Sequence, residues 1–209
     1  MYLKRKGMIV SLLVLAASAA VGVGAFWWKD YPVHHFGVVR DGVLYRCGQP
    51  GAEQLQRLVA QYGIRTVVNL RGPKVEEAWW RQEKDFCDAR GLRMADMEMS
   101  EGSQAQTNIA EFLAIVSDPA NRPVLVHCEY GNARTGFAVA AYRIAGEGWT
   151  YEKALAEALD FHFNPDNSTN RQYEQILRRL SEVGLSGATG QVSLPADGAP
   201  ATARRAGGF

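Results

Sequence analysis

The stretch His127-Cys128-Glu129-Tyr130-Gly131-Asn132-Ala133-Arg134-Thr135-Gly136 places a thiol, a guanidinium and a hydroxyl within ten residues. It follows the apolar run Pro123-Val124-Leu125-Val126, which predicts a buried strand. It precedes Phe137-Ala138-Val139-Ala140-Ala141-Tyr142-Arg143-Ile144, which predicts a helix. Cys128 therefore stands at a strand end, in a loop that opens a helix. A helix N-terminus presents unsatisfied N–H groups and a partial positive charge, and such an end binds a phosphate-like dianion. The same field lowers the pKa of a thiol and favours its nucleophilic thiolate. Arg134, six residues on, can curl back over the loop and offer its planar fork to phosphate oxygens. Gly131 permits the tight turn that aims successive N–H groups inward. Thr135 puts a hydroxyl beside the sulfur, where it can stabilise a thiolate leaving a phosphocysteine.

These residues carry a resemblance. The run is similar to the phosphate-binding loop of the cysteine-based protein tyrosine phosphatases, His-Cys-five residues-Arg-Thr/Ser-Gly, and most similar to the dual-specificity branch. His127, Cys128, Gly131, Arg134, Thr135 and Gly136 match the pattern. The resemblance implies that Cys128 is the nucleophile. It implies that the amides of Glu129, Tyr130, Gly131, Asn132, Ala133 and Arg134, with the Arg134 side chain, hold the phosphoryl group. It also implies an acid on another loop that protonates the leaving oxygen. His127 is expected to orient the loop by hydrogen bonds rather than to act as a base. Leu44-Tyr45-Arg46-Cys47-Gly48-Gln49-Pro50 resembles the opening motif of bacterial and plant–fungal atypical dual-specificity phosphatases, which usually carry serine at the Cys47 position. The strand Ile64–Leu70 with the following Arg71 looks like the family too. Arg71 either touches substrate, braces the loop or makes a structural salt bridge.

Thiolate displacement at phosphorus leaves an alkoxide or phenolate, and a carboxylic acid within reach speeds that step and then activates water. In the family this acid often stands roughly thirty residues before the cysteine. Asp96 lies 32 residues ahead of Cys128 but inside a predicted strand. Glu101 lies 27 ahead, in the loop that follows, where mobility would let it close over substrate. The two compete, with Glu98 third and Asp166 fourth. Glu129 and Tyr130 occupy loop positions that look out at the substrate. The loop has no lysine and carries an acid, which argues against a highly phosphorylated substrate and for phosphotyrosine or another monoester.

The elements around the loop alternate. A strand pair, Phe36–Val39 and Val43–Arg46, turns at Asp41-Gly42. A helix spans Glu53–Tyr62, a strand Ile64–Leu70, a helix Glu76–Arg90 with Trp79, Trp80, Phe86 and Cys87 as candidate buried residues, and a strand Leu92–Met99. On that strand Ala95, Met97 and Met99 share one face. Ser100–Thr107 predicts a polar loop and Asn108–Ser117 a helix. After the central helix come a helix from Tyr151 to about Phe163, a polar loop Asn164–Asn170 and a last helix Arg171–Val183. This order predicts an α/β fold, a mostly parallel sheet flanked by helices, with the site at the carboxyl end of a strand.

Residues 36–183 form the expected catalytic domain, after a linker at 29–35 and before a Gly-, Ala-, Ser-, Thr- and Pro-rich tail at 184–209 that reads as disordered. Residues 1–28 read as a membrane anchor: Lys4, Arg5 and Lys6 precede an apolar run, Met8–Trp28, about 31 Å long as a helix. The basic flank keeps the N-terminus in the cytoplasm and places the domain outside it, in the periplasm of a bacterium. A cleaved signal segment, ending at Val23-Gly24-Ala25, is the alternative and leads to secretion.

The net charge of +1 makes no electrostatic case for nucleic acid. His34, His35 and His162 are scattered, so no metal cluster is read, and the chemistry requires neither metal nor cofactor. Of three cysteines, Cys47 and Cys87 are read as a disulfide pair in an exported domain, as one partner for Cys128 in a reversible disulfide, or as two unpaired buried thiols. The function expected is a phosphomonoester hydrolase working through a phosphocysteine on Cys128. The alternatives are a phosphatase of a phosphorylated lipid or small molecule, and a phosphate-binding pseudophosphatase without turnover.

Overall fold

The computed structural model describes residues 33–100 and 102–186. The expected N-terminal anchor, the candidate acid Glu101 and the tail beyond Ser186 lie outside those residues. Five strands form one sheet: β1 (Gly37–Arg40), β2 (Leu44–Cys47), β3 (Thr66–Asn69), β4 (Arg93–Asp96) and β5 (Val124–His127), in the order β1-β2-β5-β3-β4. Only β1 and β2 are antiparallel; β2, β5, β3 and β4 run parallel. Their turn falls at Asp41-Gly42, where the Tyr45 hydroxyl donates to Asp41 Oδ1 at 2.6 Å and accepts from the Gly42 N–H at 2.9 Å.

Parallel strands are covered on both faces, and every residue of β2, β3 and β5 is buried. Successive side chains point to opposite faces, so each strand feeds two cores. Tyr45, Cys47, Val67 and Leu125 pack with Leu55 and Leu58 of α1 (Ala52–Tyr62) and with Phe86 and Cys87 of α2 (Ala78–Arg90). Leu44, Val68, Val124 and Val126 face the larger core, built by α3 (Gly102–Ser117), α4 (Ala133–Glu147), α5 (Tyr151–Asp160) and α6 (Ser168–Ser186). Helix α4 lies within that layer and is buried from Thr135 through Ile144. That explains why its sequence shows an unbroken apolar run instead of a stripe.

Several boundaries differ from expectation. Helix α3 starts at Gly102, not Asn108. Ala105 and Ile109, one turn apart, are both buried in the larger core, and tertiary packing overrides the polar look of the segment. Helix α5 stops at Asp160, because Phe161 and His162 close its end and His162 takes φ 62. Helix α6 begins at Ser168, three residues before Arg171, where the Asn167 side chain accepts the Thr169 N–H at 2.9 Å. Trp79 and Trp80 are half-buried rather than core residues. All three cysteines are free and buried, so of the three readings the structure has Cys47 and Cys87 as unpaired thiols, with neither the Cys47–Cys87 disulfide nor one to Cys128. Met97 and Met99 share the buried face, with Ala95 packed against the same core. Among the described residues no helix is long and apolar enough to cross a membrane.

One buried ion pair ties the helical layer together. Arg143 of α4, 3% exposed, donates to Glu157 of α5 through Nε at 2.8 Å and Nη2 at 2.6 Å, and to Glu147 at 2.6 Å. Its guanidinium also stacks on Trp149, 4.3 Å from the ring centre. Removing one partner strands the other charge in a low dielectric. Arg143→Met is expected to lower the unfolding free energy by about 3 kcal/mol, read as a reduced urea midpoint at unchanged m-value.

Candidate active site

The Cys128 loop joins β5 to α4 at the carboxyl end of the sheet's middle strand. Cys47 of β2 and Asn69 of β3 flank His127 in register. Cys128 is buried, and its Sγ accepts the Gly131 N–H at 3.2 Å. The geometry around Gly131 dictates a glycine. Its φ is +77°, and a Cβ there would stand 2.6 Å from the backbone N of Gly48 and 2.7 Å from the carbonyl carbon of Cys47. The loop thus rests directly on the β2 backbone, and a further hydrogen bond, Gln49 N–H to Glu129 O at 2.9 Å, holds it there. Asn132 caps α4, its Oδ1 accepting the Ala133 N–H at 2.7 Å. Thr135 Oγ1 is buried with no hydrogen-bond partner among the described residues, which leaves the hydroxyl available to a neighbouring group.

Arg46 lies under the loop, 1% exposed, and donates Nη2 to Gly131 O at 2.6 Å. Its guanidinium stacks on Phe161, 3.8 Å from the ring centre, while Nε and Nη1 have no partner. Burial pulls its pKa down to about 10, and the charges of Glu157, Cys128 and Cys47 partly restore it. His127 is also fully buried. Its Nε2 faces Glu83 Oε1 of α2 at 2.9 Å and its Nδ1 faces the Cys128 carbonyl at 3.3 Å. Gln49 Nε2 donates to the other Glu83 oxygen at 3.1 Å. The ring is therefore clamped between the loop backbone and a carboxylate that is 2% exposed.

At the rim, Arg71 donates Nη1 to Gln49 Oε1 at 3.1 Å and stacks on Trp79, 3.6 Å from the ring centre. Glu129 stands between two cations, 3.9 Å from Arg71 Nη2 and 3.8 Å from Arg134 Nη2. Tyr130 projects into solvent at 62% exposure, and its carbonyl meets His35 Nδ1 at 2.5 Å. His35 and His162 both adopt left-handed backbone, with φ 51 and 62, and their rings lie 5.0 Å apart. Such a conformation costs about 1–2 kcal/mol for a residue with a Cβ. Beside the loop opens a cavity of about 470 Å³, bordered by Ser100, Asn132, Arg134, His162, Asn164 and Asn167, with Tyr173 among its walls.

The candidate acids occupy different settings. Asp96, at the end of β4, accepts Asn69 Nδ2 at 2.7 Å and Trp80 Nε1 at 3.0 Å on a single oxygen. It is committed to the turn that presents Arg71, because Asn69 also accepts the Arg71 N–H at 2.9 Å. It stands two strands from His127, about 10 Å at ordinary strand spacing. Glu98 pairs with Lys74 at 3.0 Å and accepts from Ser100 at 3.2 Å. The Lys74 ammonium, the Ser100 hydroxyl and the field of Arg134 hold its carboxyl below the usual range. Asp166 is exposed in the loop bordering the cavity. Among the described residues no group of His, Cys, Asp and Glu is placed to hold a metal ion.

Residues 36–176 match the family described as PTP-NADK, a DSP-PTPase phosphatase fused to NAD+ kinase. The chain belongs to this family. It is similar to inositol diphosphatase SIW14 of Saccharomyces cerevisiae, 25% identical over 140 residues that cover 65% of this chain and 48% of the yeast protein. It is also similar to dual specificity protein phosphatase TpbA of Pseudomonas aeruginosa, 31% identical over 146 residues, 68% of this chain and 61% of that protein. The chain thus spans about half the length of the yeast relative. A crystal structure of TpbA in complex with pTyr superposes with a TM-score of 0.54 at 25% identity, over 71% of this chain and 87% of that one. The SIW14 catalytic core shares the fold, with a TM-score of 0.57 at 21% identity, over 75% of this chain and 94% of that one.

Sequence reasoning singled out the Cys128 loop but missed the contacts that Arg46, Gln49 and Glu83 make beneath it, although Arg46 and Gln49 sit inside the Leu44–Pro50 motif. The available signal was an arginine in a strand with no room for a solvated face. The thiols separate by environment. Burial pushes Cys47 well above the ordinary range, with the charges of Glu83 and Cys128 adding to the effect, and pushes Cys87 up to about 12. Below those values both stay protonated and inert. Iodoacetamide at pH 7.5 is expected to alkylate Cys128 first, with Cys87 labelled only as the pH climbs toward 12; peptide mass mapping reads the order. Gly131→Ala is expected to reduce turnover by about 100-fold or more, since a misplaced oxyanion-type donor alone costs that much and here the loop itself must move.

Proposed function

We propose that this chain is a cysteine-dependent phosphomonoester hydrolase of the dual-specificity type. The observation that carries the reading is the buried Cys128 sulfur receiving the Gly131 N–H at 3.2 Å in the loop that leads into α4, whose first turn carries Arg134. In the first step Sγ bonds to phosphorus and the bond to the leaving oxygen breaks. Arg134 and the amides from Glu129 to Arg134 hold the three equatorial oxygens, and an acid gives the leaving oxygen its proton. In the second step water attacks phosphorus, the S–P bond breaks and the same carboxylate takes the water proton. The unpartnered Thr135 hydroxyl then donates to the departing thiolate. His127, clamped by Glu83, holds the loop backbone in place.

For the acid we favour Glu101 over Asp96. Glu101 follows Ser100, which borders the cavity, whereas Asp96 is engaged by Asn69 and Trp80. The substrate is read as a phosphotyrosine protein. A relative of known structure holds pTyr, and the loop offers no lysine for a second phosphate. The yeast relative is named for inositol diphosphates, so hydrolysis of a phosphorylated small molecule is the second reading. The segment Met8–Trp28 is read as an export anchor for the domain. Protease added to intact spheroplasts should then digest the domain; protection would remove that assignment.

Cys128→Ser is expected to abolish hydrolysis of p-nitrophenyl phosphate while retaining vanadate binding; full activity in that variant would sink the mechanism. A general acid must be protonated, so kcat falls as pH rises through its pKa. Glu101→Gln is expected to lower kcat by about 100-fold and to flatten that alkaline limb. Flattening by Asp96→Asn instead would move the role to Asp96.

A further inference from the structure

We propose that the 470 Å³ cavity beside the loop is a subsite for the main-chain carbonyls that flank the phosphorylated residue of a peptide. The proposal rests on the phosphatase reading and names the substrate class for that site. It starts from three asparagines on the cavity wall. Asn132 Oδ1 accepts the Ala133 N–H at 2.7 Å, Asn164 Oδ1 accepts the Asp166 N–H at 3.0 Å, and Asn167 Oδ1 accepts the Thr169 N–H at 2.9 Å. Each of these bonds consumes the amide oxygen and fixes which end of the side chain it is. What remains on all three is an NH2 group, and none of the three donates a hydrogen bond among the described residues. The cavity lining therefore carries three neutral NH2 donors, joined by the Thr169 hydroxyl.

Donors without formal charge match acceptors without formal charge. A second phosphate is met by arginine or lysine, and among the described residues the single cation bordering this cavity is Arg134, which the reacting phosphoryl group engages. Peptide carbonyls are neutral acceptors spaced along an extended chain, and they suit amide donors on a loop. The wall is also held in place. Asn170 Nδ2 donates to Asn164 O at 2.7 Å, and Asn167 is the residue from which α6 starts. His162, on the same wall, keeps its left-handed backbone at φ 62 although glycine is the usual residue for that helix-ending geometry. Its ring lies 5.0 Å from that of His35.

Asn164→Asp and Asn167→Asp test the assignment. Aspartate keeps the capping oxygen, and with it the loop and the start of α6, but replaces the spare donor by an acceptor. Affinities would be measured on the full chain carrying Cys128→Ser, by calorimetry. The ligands would be a phosphotyrosine peptide of about ten residues, phenyl phosphate and inositol hexakisphosphate. We expect the peptide to bind at least tenfold more tightly than phenyl phosphate, and each aspartate to remove most of that ratio. Equal affinity for peptide and phenyl phosphate would overturn the proposal. So would a peptide advantage that survives both substitutions, or tighter binding of the inositol phosphate than of the peptide. The phosphatase reading is scored separately, by turnover of p-nitrophenyl phosphate by the parent chain, so failure of one does not mask failure of the other.

Discussion

The Cys128 loop rests on a buried cation. Arg46 brings a guanidinium to 1% exposure and gives one of its nitrogens to the Gly131 carbonyl. Burying an unpaired charge is among the costliest events in a fold, and here Nε and Nη1 find no partner among the described residues. Several features make the arrangement tolerable. Phe161 lies flat against the guanidinium, an attraction between cation and ring face that strengthens when both are out of water. Gly37 leaves the space for it: a Cβ there would stand 2.8 Å from the Phe161 ring and 3.3 Å from Arg46 Cγ. Glu157, Cys128 and Cys47 lie close enough for their charges to hold the arginine's proton. The remaining compensation comes from above, where a thiolate and then a phosphoryl group would carry negative charge. On the proposed mechanism, the cost of Arg46 would thus be met in part by the chemistry at the loop.

That dependence orders the rest of the structure. Gly131 must be glycine because its backbone lies on Cys47 and Gly48; the close approach brings its carbonyl within 2.6 Å of Arg46. Strand β2 must be interior so that Arg46 is roofed by the loop and closed off by Phe161. The antiparallel β1 supplies the extra strand that makes β2 interior. On the opposite face Glu83 clamps His127 from α2, so the strand that leads into Cys128 is held from both sides of the sheet. Asp96 and Asn69 form a third support, which shapes the turn carrying Arg71.

Much of this was legible from residues alone. The Cys128 loop, its strand and its helix were visible because they are local: their meaning is carried by spacing within one segment. The parallel sheet followed from the alternation of elements. The start of α3 was missed because Gly102 through Thr107 is polar by composition, and only the burial of Ala105 reveals its helical face. Arg46, Glu83 and Gln49 were missed for a different reason. Their roles arise from contacts 85, 44 and 34 positions apart in sequence, and no pattern within a segment signals such a partner. Cys47 and Cys87 looked like a possible pair, yet each packs as an isolated thiol in the smaller core.

Glu129 shows how the rim can discriminate without being rigid. Its carboxylate lies 3.8 Å from Arg134 and 3.9 Å from Arg71, too far for short hydrogen bonds. At 43% exposure, such a contact contributes little to stability. A phosphoryl dianion offers Arg134 two short charge-assisted bonds in place of one long contact, so Glu129 yields easily. Once displaced, its negative charge stays beside the mouth. There it disfavours a second anionic group on the substrate and leaves a neutral flank unaffected. On the proposed reading, the acid at the rim and the amide donors of the cavity would therefore select in the same direction, for a single phosphate carried on an uncharged chain.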